Sequence, residues 1–185
     1  MKRRSVAATT GGGLAVVLAL AAASVGTETR LAAVPPPAQA ERLVIDKSDR
    51  TLTIHFTDGA ARTLQGVRFG RNWAAGPKRQ RGDRRTPEGD YRVLEYRATR
   101  DDYPDVTYLP ALYLDYPNAQ DVAASASLGV DPGDAIMIHG PHPSVPEAVL
   151  RWRGDWTDGC AALTAAQMTY LMRFTREGTP VTIRP

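Results

Sequence analysis

The chain of 185 residues contains one cysteine, Cys160, in the stretch GDWTDGCAALT from residue 154 to residue 164. A cysteine reacts as its thiolate, and a free thiol with a pKa near 8.5 is mostly protonated at neutral pH, so a nucleophilic cysteine needs a base or a positive local field. Polar and small residues surround Cys160, whereas an inert core cysteine usually lies in an apolar run. This setting favours a nucleophile, with a core residue and a redox partner as the alternatives.

Histidine is the usual base beside a nucleophilic cysteine, and the chain has three. His139 is the strongest candidate, because it ends the apolar stretch AIMI, and the end of a buried strand is a rigid platform for a site residue. His142 follows in the proline-flanked stretch PHPSVP and is a weaker candidate. His55 alternates with apolar neighbours, so we expect it to point away from the core.

Two other uses of the cysteine are less well supported by the spacing. A metal site made by His139, His142 and Cys160 would lack a second cysteine and a recognisable ligand spacing, so we predict no metal. An internal disulfide would also need a second cysteine, and a lone thiol in an oxidising compartment is a liability that a function should justify.

A helix is predicted a few residues after Cys160, over residues 164–178. Thr164 and Gln167 form a capping box, and Gly178 suits the end of the helix. An apolar stripe follows the capping box, formed by Met168, Leu171 and Met172. The positive end of this helix dipole would lie near Cys160 and favour its thiolate.

The remaining elements are mainly strands, predicted from alternating apolar residues. They comprise a hairpin over residues 41–56 that turns at KSDR, then strands over 61–69, 91–98, 111–116, 135–140 and 180–184, with one short helix over 118–128. A long loop over residues 71–89 separates two of these strands. Loops of this length are usually functional or disordered, and the sequence does not decide whether residues 71–85 form a lid.

The N-terminus resembles an export signal. A basic MKRR start precedes the apolar run at 14–25, which is shorter than the roughly 20 residues of a membrane span. We therefore predict that residues 1–40 are a signal peptide, or an N-terminal anchor with a proline-rich linker, and that the protein is exported to the periplasm or cell wall. Cleavage after Ala40, cleavage near Ala23 and an uncleaved leader stay open, and only the last would give membrane contact.

The charge of the chain argues against nucleic-acid binding. Residues 1–40 carry a net charge of +3, which is the net charge of the whole chain, so the remainder is formally neutral. A nucleic-acid binder needs a basic face on its folded domain. The cluster KRQRGDRR at 78–85 lies between glycine and proline residues and is interpreted as a solvated loop, so no nucleic-acid partner is expected.

Several segments, in this order, resemble the catalytic domain of the L,D-transpeptidases, the YkuD-type enzymes of bacterial cell walls. The segments are GPKRQRGDRRTPEGDYRV at 76–93, LDYPNAQD at 114–121, PGDAIMIHG at 132–140 and DWTDGCAALT at 155–164. The last segment resembles a subgroup in which D-W-T-x-G-C replaces the commoner S-H-G-C. The resemblance covers residues 41–185 and implies a mainly β, sandwich- or barrel-like catalytic domain with one or two short helices.

The resemblance also implies roles for particular residues. Cys160 would be the nucleophile and His139 the base, with the backbone carbonyl of Gly140 orienting the imidazole. The backbone N–H groups of Cys160, Gly159 and Asp158 would form the oxyanion hole.

The implied reaction is a two-step acyl transfer on the tetrapeptide stems of peptidoglycan, with release of D-alanine and formation of a 3→3 cross-link. It needs no cofactor, and carbapenem-type β-lactams would acylate the thiol. Transfer to water instead would make the enzyme an L,D-carboxypeptidase or amidase, and a non-catalytic wall-binding module is a further alternative. The sequence does not separate these functions.

The chain departs from the common family motif at two positions. Asp158 replaces the usual histidine, and Ala162 replaces an arginine that often follows the cysteine. Recognition of the substrate carboxylate must therefore come from elsewhere. The candidates for substrate binding are Trp156 and Thr157 from the motif, and the cations Arg84, Arg85, Arg151 and Arg153.

Overall fold

Eight strands form one sheet in the computed structural model, which describes residues 38–97, 110–142 and 144–185. The strands are β1 (Ala40–Asp46), β2 (Thr51–Phe56), β3 (Ala61–Gln65), β4 (Gly89–Arg97), β5 (Ala111–Leu114), β6 (Met137–His139), β7 (Ala161–Ala162) and β8 (Pro180–Arg184). Their order across the sheet is β3-β2-β1-β8-β4-β5-β6-β7. The β1–β8 and β6–β7 pairs are parallel, and the other neighbours are antiparallel.

Among the described residues, three short α-helices accompany the sheet: α1 (Ala119–Ala126), α2 (Glu147–Arg153) and α3 (Ala165–Met172). The predicted capping box of α3 is present: the Thr164 side chain accepts a hydrogen bond from the Gln167 backbone, and the Gln167 side chain accepts one from the Thr164 backbone. Helix α1 has an equivalent box between Asn118 and Asp121, which was not predicted. Helix α2 was not predicted from the sequence.

The core follows from the alternation of apolar residues along the strands. In β2, every second residue is buried, and His55 points to the half-buried side as predicted. The buried residues of β1, β2, β4, β5, β6 and β8 form one cluster with the apolar side of α3. Apolar burial of this extent is the main stabilising term for such a domain. The expectation of a mainly β fold is confirmed.

The chain after β3 crosses to the opposite end of the sheet. Arg68 pairs with Ala162 next to β6, and Gly70 pairs with Thr157. These two bridges connect the end of the β3 hairpin to the segment that carries Cys160, and they give the sheet its barrel-like character. The predicted strand over 61–69 is therefore shorter than expected, because the chain turns away at Gly66, where φ is +76°.

Helix α3 ends earlier than predicted. It stops at Met172, where the bonding changes to the tighter i→i−3 type: the N–H of Arg173 donates to the carbonyl of Tyr170, and the N–H of Phe174 donates to that of Leu171. Gly178 therefore does not cap the helix. It lies in the turn before β8 with φ of +82°, and its N–H donates to the carbonyl of Val93 at 2.8 Å.

The predicted export leader lies outside the described residues except for its last three. Within the part of the chain that the structure describes, no helix is long and apolar enough to cross a membrane.

Candidate active site

Strand pairing brings Cys160 and His139 to the same region of the sheet. In the parallel β6–β7 pair, Ile138 is opposite Ala161 and His139 is opposite Ala162. Because side chains alternate along a strand and paired residues share a face, His139 and the residue before Ala161 lie on the face opposite the buried Ile138. The Cys160 thiol lies beside β6, with Sγ 3.7 Å from the carbonyl oxygen of Ala135.

The imidazole of His139 is held in one orientation. Its side chain is only 1% exposed, and Nδ1 lies 2.6 Å from the carbonyl oxygen of Gly140. Since a carbonyl can only accept, Nδ1 carries the proton and the lone pair is on Nε2. The ring also packs edge-to-face on Trp156, with centroids 5.5 Å apart. The contact with Gly140 is the one that the sequence analysis expected.

The thiol and the imidazole are both neutral at rest. Burial lowers the pKa of His139 to about 4, and the nearby His142 acts in the same direction. Burial raises the pKa of Cys160 to about 11, and the negative charge of Asp158 adds to this increase. A proton must therefore leave the thiol as it attacks, and the uncharged Nε2 is the group suited to accept it.

Helix α3 begins at Ala165, and β7 and Leu163 separate its first turn from Cys160. Burial is the main cause of the raised pKa of the thiol. The field of a helix end falls off within about one turn, and the contribution of the α3 dipole to the thiolate stays a prediction.

Asp155, the first residue of the DWTDGC motif, anchors the segment before Cys160. Its carboxylate accepts hydrogen bonds from the Arg50 guanidinium, from the N–H of Phe69 and from Nε1 of Trp73. Burial alone would raise the pKa of Asp155, but these hydrogen bonds outweigh burial and hold the pKa below its usual value. The carboxylate is therefore ionised and structural.

Thr157 shapes the turn into Cys160. Its hydroxyl donates to the carbonyl oxygen of Cys160 at 2.8 Å and accepts from the N–H of Gly159 at 3.2 Å. The residue is 4% exposed, and its hydroxyl both donates and accepts inside the turn. Contact of Thr157 with a substrate stays a prediction.

The same turn selects the donors available for an oxyanion. The N–H of Gly159 is already bonded to Thr157, so it is not available in this arrangement. By contrast, the N–H groups of Asp158 and Cys160 donate to no acceptor among the described residues. Of the three predicted donors, these two are the ones without an acceptor in the described part of the chain, and their role in an oxyanion hole stays a prediction.

Two glycines allow the segment 84–86 to press against the site. A Cβ on Gly159 would lie 2.8 Å from the carbonyl oxygen of Arg85, and one on Gly70 would lie 2.3 Å from that of Arg84. The buried Thr86 fixes this packing, since its hydroxyl accepts from the N–H of Gly70 at 3.0 Å. The close approach at Gly159 is therefore an approach of backbone.

Cys160 faces a groove of about 270 Å³, which we call the thiol groove. Its lining residues are Lys78, Arg81, Gly82, Gly133, Asp134, Ala135, Ile136, Asp158 and Cys160. One wall is the long loop, which Asp83 ties together by accepting from the N–H groups of Arg79, Gln80 and Arg85 and from Nζ of Lys78. The sequence did not decide whether residues 71–85 form a lid, and in the structure this loop is a hydrogen-bonded wall of the groove.

A second hollow, of about 320 Å³, lies beside Trp156 and is lined by Arg71, Arg153, Asp155 and Trp156. We call it the tryptophan hollow. Trp156 therefore lies at the site, between this hollow and the ring of His139. Arg153 is exposed at its rim, as a candidate substrate-binding cation would be.

The other predicted cations differ in their positions. Arg84 lies beside Asp158, a lining residue of the thiol groove, with Nε 3.8 Å from a carboxylate oxygen of Asp158. Arg85 is half-buried, and its backbone rather than its guanidinium contacts the site. The side chain of Arg151 lies outside the described part of the chain.

Two further cations at the site were missed by the sequence analysis. Arg71 donates to Asp158 at 2.6 Å, and the buried Lys78 lines the thiol groove while bonding to Asp83. Both belong to the long loop, where no periodicity or motif marks individual residues. Elsewhere in residues 38–97, 110–142 and 144–185, no group of three or more histidine, cysteine or acidic side chains is arranged to hold a metal ion.

Comparison with known proteins gives a family match over most of the chain. The family model described as the YkuD L,D-transpeptidase catalytic domain matches residues 40–183. No curated protein matches the chain in a direct sequence comparison.

Solved structures share the fold. The helical cell shape determining protein Pgp2 from Campylobacter jejuni has 22% identity and a TM-score of 0.57, over 80% of this chain and 49% of its own. Bd1075 from Bdellovibrio bacteriovorus has 22% identity and a TM-score of 0.53, over 80% and 48%. An L,D-transpeptidase from Enterococcus faecium has 15% identity and a TM-score of 0.49, over 79% and 50%. The chain spans about half the length of these structures.

Proposed function

Because the chain belongs to the YkuD family of L,D-transpeptidase catalytic domains, we propose that it is an exported cysteine acyltransferase that acts on the stem peptides of peptidoglycan. The observation that supports this most directly is the orientation of His139. Its Nδ1–H is taken by the carbonyl of Gly140, so Nε2 is the basic atom on the strand next to Cys160. Peptidoglycan lies outside the cytoplasmic membrane, which fits an N-terminal export signal.

The first step is acylation of the thiol. As Sγ of Cys160 attacks the carbonyl carbon of the third stem residue, Nε2 of His139 takes the thiol proton, and the carbonyl π electrons move to oxygen. The resulting oxyanion accepts hydrogen bonds from the N–H groups of Asp158 and Cys160. The imidazolium then gives its proton to the nitrogen of D-alanine, the C–N bond breaks, and a thioester remains.

The second step transfers the acyl group. The side-chain amine of another stem attacks the thioester carbonyl and loses a proton to the imidazole of His139. The C–S bond breaks, the sulfur regains a proton from the imidazolium, and a 3→3 amide cross-link forms. Water in place of the amine would give hydrolysis by the same atoms, so the acceptor decides between transpeptidase and carboxypeptidase.

The test is mass spectrometry of products from purified protein and disaccharide-tetrapeptides, with Cys160→Ala as the matched control. We expect D-alanine release together with a 3→3 dimer, and neither with the variant. Cysteine-dependent D-alanine release without dimer would replace transpeptidation by carboxypeptidase activity. Turnover that persists in Cys160→Ala would exclude the thiol as nucleophile.

A carbapenem gives a second readout that does not depend on the natural acceptor. We expect intact-mass spectrometry to show one covalent adduct on the wild-type protein and none on Cys160→Ala. Neither turnover nor an adduct would contradict the proposed acyltransferase and leave a different substrate or a non-catalytic wall-binding module as the alternatives.

A further inference from the structure

Two arginine side chains converge on the carboxylate of Asp158 at the edge of the thiol groove. Nη2 of Arg71 lies 2.6 Å from Oδ1 of Asp158, and Nε of Arg84 lies 3.8 Å from the same oxygen. The side chain of Arg71 is 46% exposed, that of Arg84 54% and that of Asp158 72%. Exposed ion pairs of this kind contribute little to stability, so the arrangement is not needed to hold the fold together.

The backbones that carry both arginines are nevertheless fixed. The N–H of Arg71 donates to the carbonyl oxygen of Thr157 at 3.1 Å, next to the bridge between Gly70 and Thr157. Arg84 has a φ of +59°, which is unfavourable for a residue with a side chain, and its carbonyl accepts from the N–H of Asn72 at 3.0 Å. Strained backbone that the surrounding structure holds in place is typical of functional sites.

The pair of arginines is close to the nucleophile. Asp158 precedes Cys160 by two residues, which limits the separation of their Cα atoms to about 7 Å. Asp158 lines the thiol groove, whereas Arg71 lines the tryptophan hollow on the side of Trp156 and His139. The guanidinium of Arg71 therefore bridges the two spaces that flank the thiol and the imidazole.

The other cations of the thiol groove are already neutralised by separate carboxylates. Arg81 is bonded to both Asp131 and Asp134, and Lys78 is bonded to Asp83. Arg71 and Arg84, in contrast, share the carboxylate of Asp158. Two guanidinium groups for one exposed carboxylate leave a net positive charge at this edge of the groove.

We propose that Arg71 and Arg84 form the subsite for the terminal carboxylate of the stem peptide, and that Asp158 occupies it as an internal carboxylate until the substrate displaces it. This inference rests on the proposed function. The carboxylate carbon of the leaving residue is three covalent bonds from the carbonyl carbon that Cys160 attacks, so it must lie within a few ångströms of the thiol. A guanidinium is the side chain best suited to hold a carboxylate in a fixed direction.

The subsite accounts for the alanine at position 162. At that position, two residues after the nucleophile, an arginine would supply the cation. Ala162 instead is 2% exposed and pairs with His139 and Arg68. The cation must then come from another segment, and the long loop supplies it twice. The two arginines also differ from Arg85, whose guanidinium makes no described contact with Asp158.

The test measures peptide binding in the Cys160→Ala background, where no acyl transfer interferes. The probes are a synthetic tetrapeptide stem that ends in a free D-alanine carboxylate and the same peptide with a C-terminal amide, and the readout is the Kd from isothermal titration calorimetry. We expect the acid to bind about five- to tenfold more tightly than the amide. Arg71→Ala and Arg84→Ala should each reduce this preference and leave the Kd of the amide unchanged.

Asp158→Asn gives the sharper expectation, because it removes the competing carboxylate and keeps the size of the side chain. The acid should then bind several-fold more tightly than in the Cys160→Ala background alone, with the amide unaffected. Arg62→Ala is the matched control, since Arg62 is an exposed arginine of β3 that lies over Tyr170 and its removal changes the net charge equally. It should leave both Kd values unchanged.

Three results would overturn the subsite: equal binding of acid and amide, equal loss of both in Arg71→Ala, or weaker acid binding in Asp158→Asn. Turnover by the wild-type protein reports the proposed function separately. Turnover without a preference for the acid would contradict the subsite but not the proposed activity. An Arg71-dependent preference for the acid without turnover would contradict the proposed activity but not the subsite. The absence of both binding and turnover would contradict both hypotheses.

Discussion

Arg50 and Asp155 form a two-point ion pair, with both nitrogen–oxygen distances at 2.8 Å, although they are 105 residues apart in the chain. Arg50 ends the turn between β1 and β2, and its guanidinium also lies 5.1 Å from the ring centre of Trp73. Asp155 precedes Cys160 by five residues. The tip of the first hairpin therefore fixes the segment that carries the proposed nucleophile.

Asp155→Ala should lower the free energy of unfolding by about 2–3 kcal/mol. The substitution leaves the Arg50 guanidinium, the Phe69 N–H and the Trp73 indole N–H without their acceptor, and hydrogen bonds to charged groups are among the costlier ones to lose. Urea unfolding followed by fluorescence measures the change. Asp49→Ala, at an exposed carboxylate near the same hairpin turn, should change it by less than about 0.5 kcal/mol.

The contribution of Asp155 should also depend on pH. Its pKa is lowered in the folded state, so its stabilising effect is present above the unfolded-state pKa of about 4 and is lost as the pH falls through the lower folded-state pKa. The difference in unfolding free energy between the wild-type protein and Asp155→Asn should therefore shrink below about pH 4. A difference that stays constant down to pH 2 would contradict the assignment of an ionised carboxylate.

The neutral resting state of Cys160 and His139 predicts an unusual pH profile for alkylation by iodoacetamide. With the pKa of the thiol raised to about 11, the alkylation rate should keep rising between pH 7 and pH 10. A thiolate–imidazolium pair would instead give a plateau that begins near pH 6. Such a plateau would contradict the neutral pair.

On the acid side, the pH at which kcat/KM falls should be lower than is usual for a histidine base. Burial lowers the pKa of His139 to about 4, so the imidazole stays able to accept a proton well below the usual histidine pKa of about 6.5. Activity should fall near pH 4, measured in buffers of constant ionic strength. His139→Gln should lose at least about 100-fold in kcat/KM while its thiol still alkylates faster at high pH.

Thr157→Val tests the internal hydrogen bonds of the turn. Valine keeps the shape but leaves the Gly159 N–H without an acceptor and the Cys160 carbonyl without a donor, at a cost of about 1–3 kcal/mol. Because the Gly159 N–H and the Cys160 backbone can then shift, kcat should fall more than KM rises. Thr157→Ser, which restores both hydrogen bonds, should recover most of kcat. A selective rise in KM would instead indicate substrate contact.

The sequence was informative where short-range patterns determine the structure. Runs of apolar residues located every strand except the two-residue β7, and the Thr164–Gln167 box located the start of α3. Local sequence singled out Cys160 and His139, and the resemblance to a family assigned them the roles of nucleophile and base. Helix α2 was missed, because it has seven residues after Pro146 and so gives less than two turns of helical periodicity.

Long-range charge pairs could not be predicted in this way. The KSDR turn was recognised, but its Lys47 is buried and bonded to Glu88, and Arg50 reaches Asp155. In the same way, nothing local distinguishes Arg71, which reaches Asp158, from its neighbouring arginines. These partners depend on how the long loop crosses the sheet, which local periodicity and propensity do not encode.

Gly159→Ala should damage both the fold and the active site. Gly159 has a φ of +143°, a region that costs other residues about 1–3 kcal/mol, and the added Cβ would lie 2.8 Å from the carbonyl oxygen of Arg85 and 3.0 Å from Cδ1 of Ile136. The backbone around Cys160 must move to relieve this overlap. We expect the free energy of unfolding to fall by at least about 2 kcal/mol, and kcat to fall with it.

Gly178→Ala separates the backbone strain of a positive φ from the steric overlap of the added Cβ. Gly178 also has a positive φ, +82°, but an added Cβ would meet no atom within 4 Å. This substitution should therefore cost only the backbone contribution of about 1–2 kcal/mol and leave kcat unchanged. If urea unfolding shows equal losses for the two variants, the packing of Gly159 against Arg85 contributes nothing. If the loss is larger for Gly159→Ala and kcat also falls, the close approach of segment 84–86 holds the nucleophile in position.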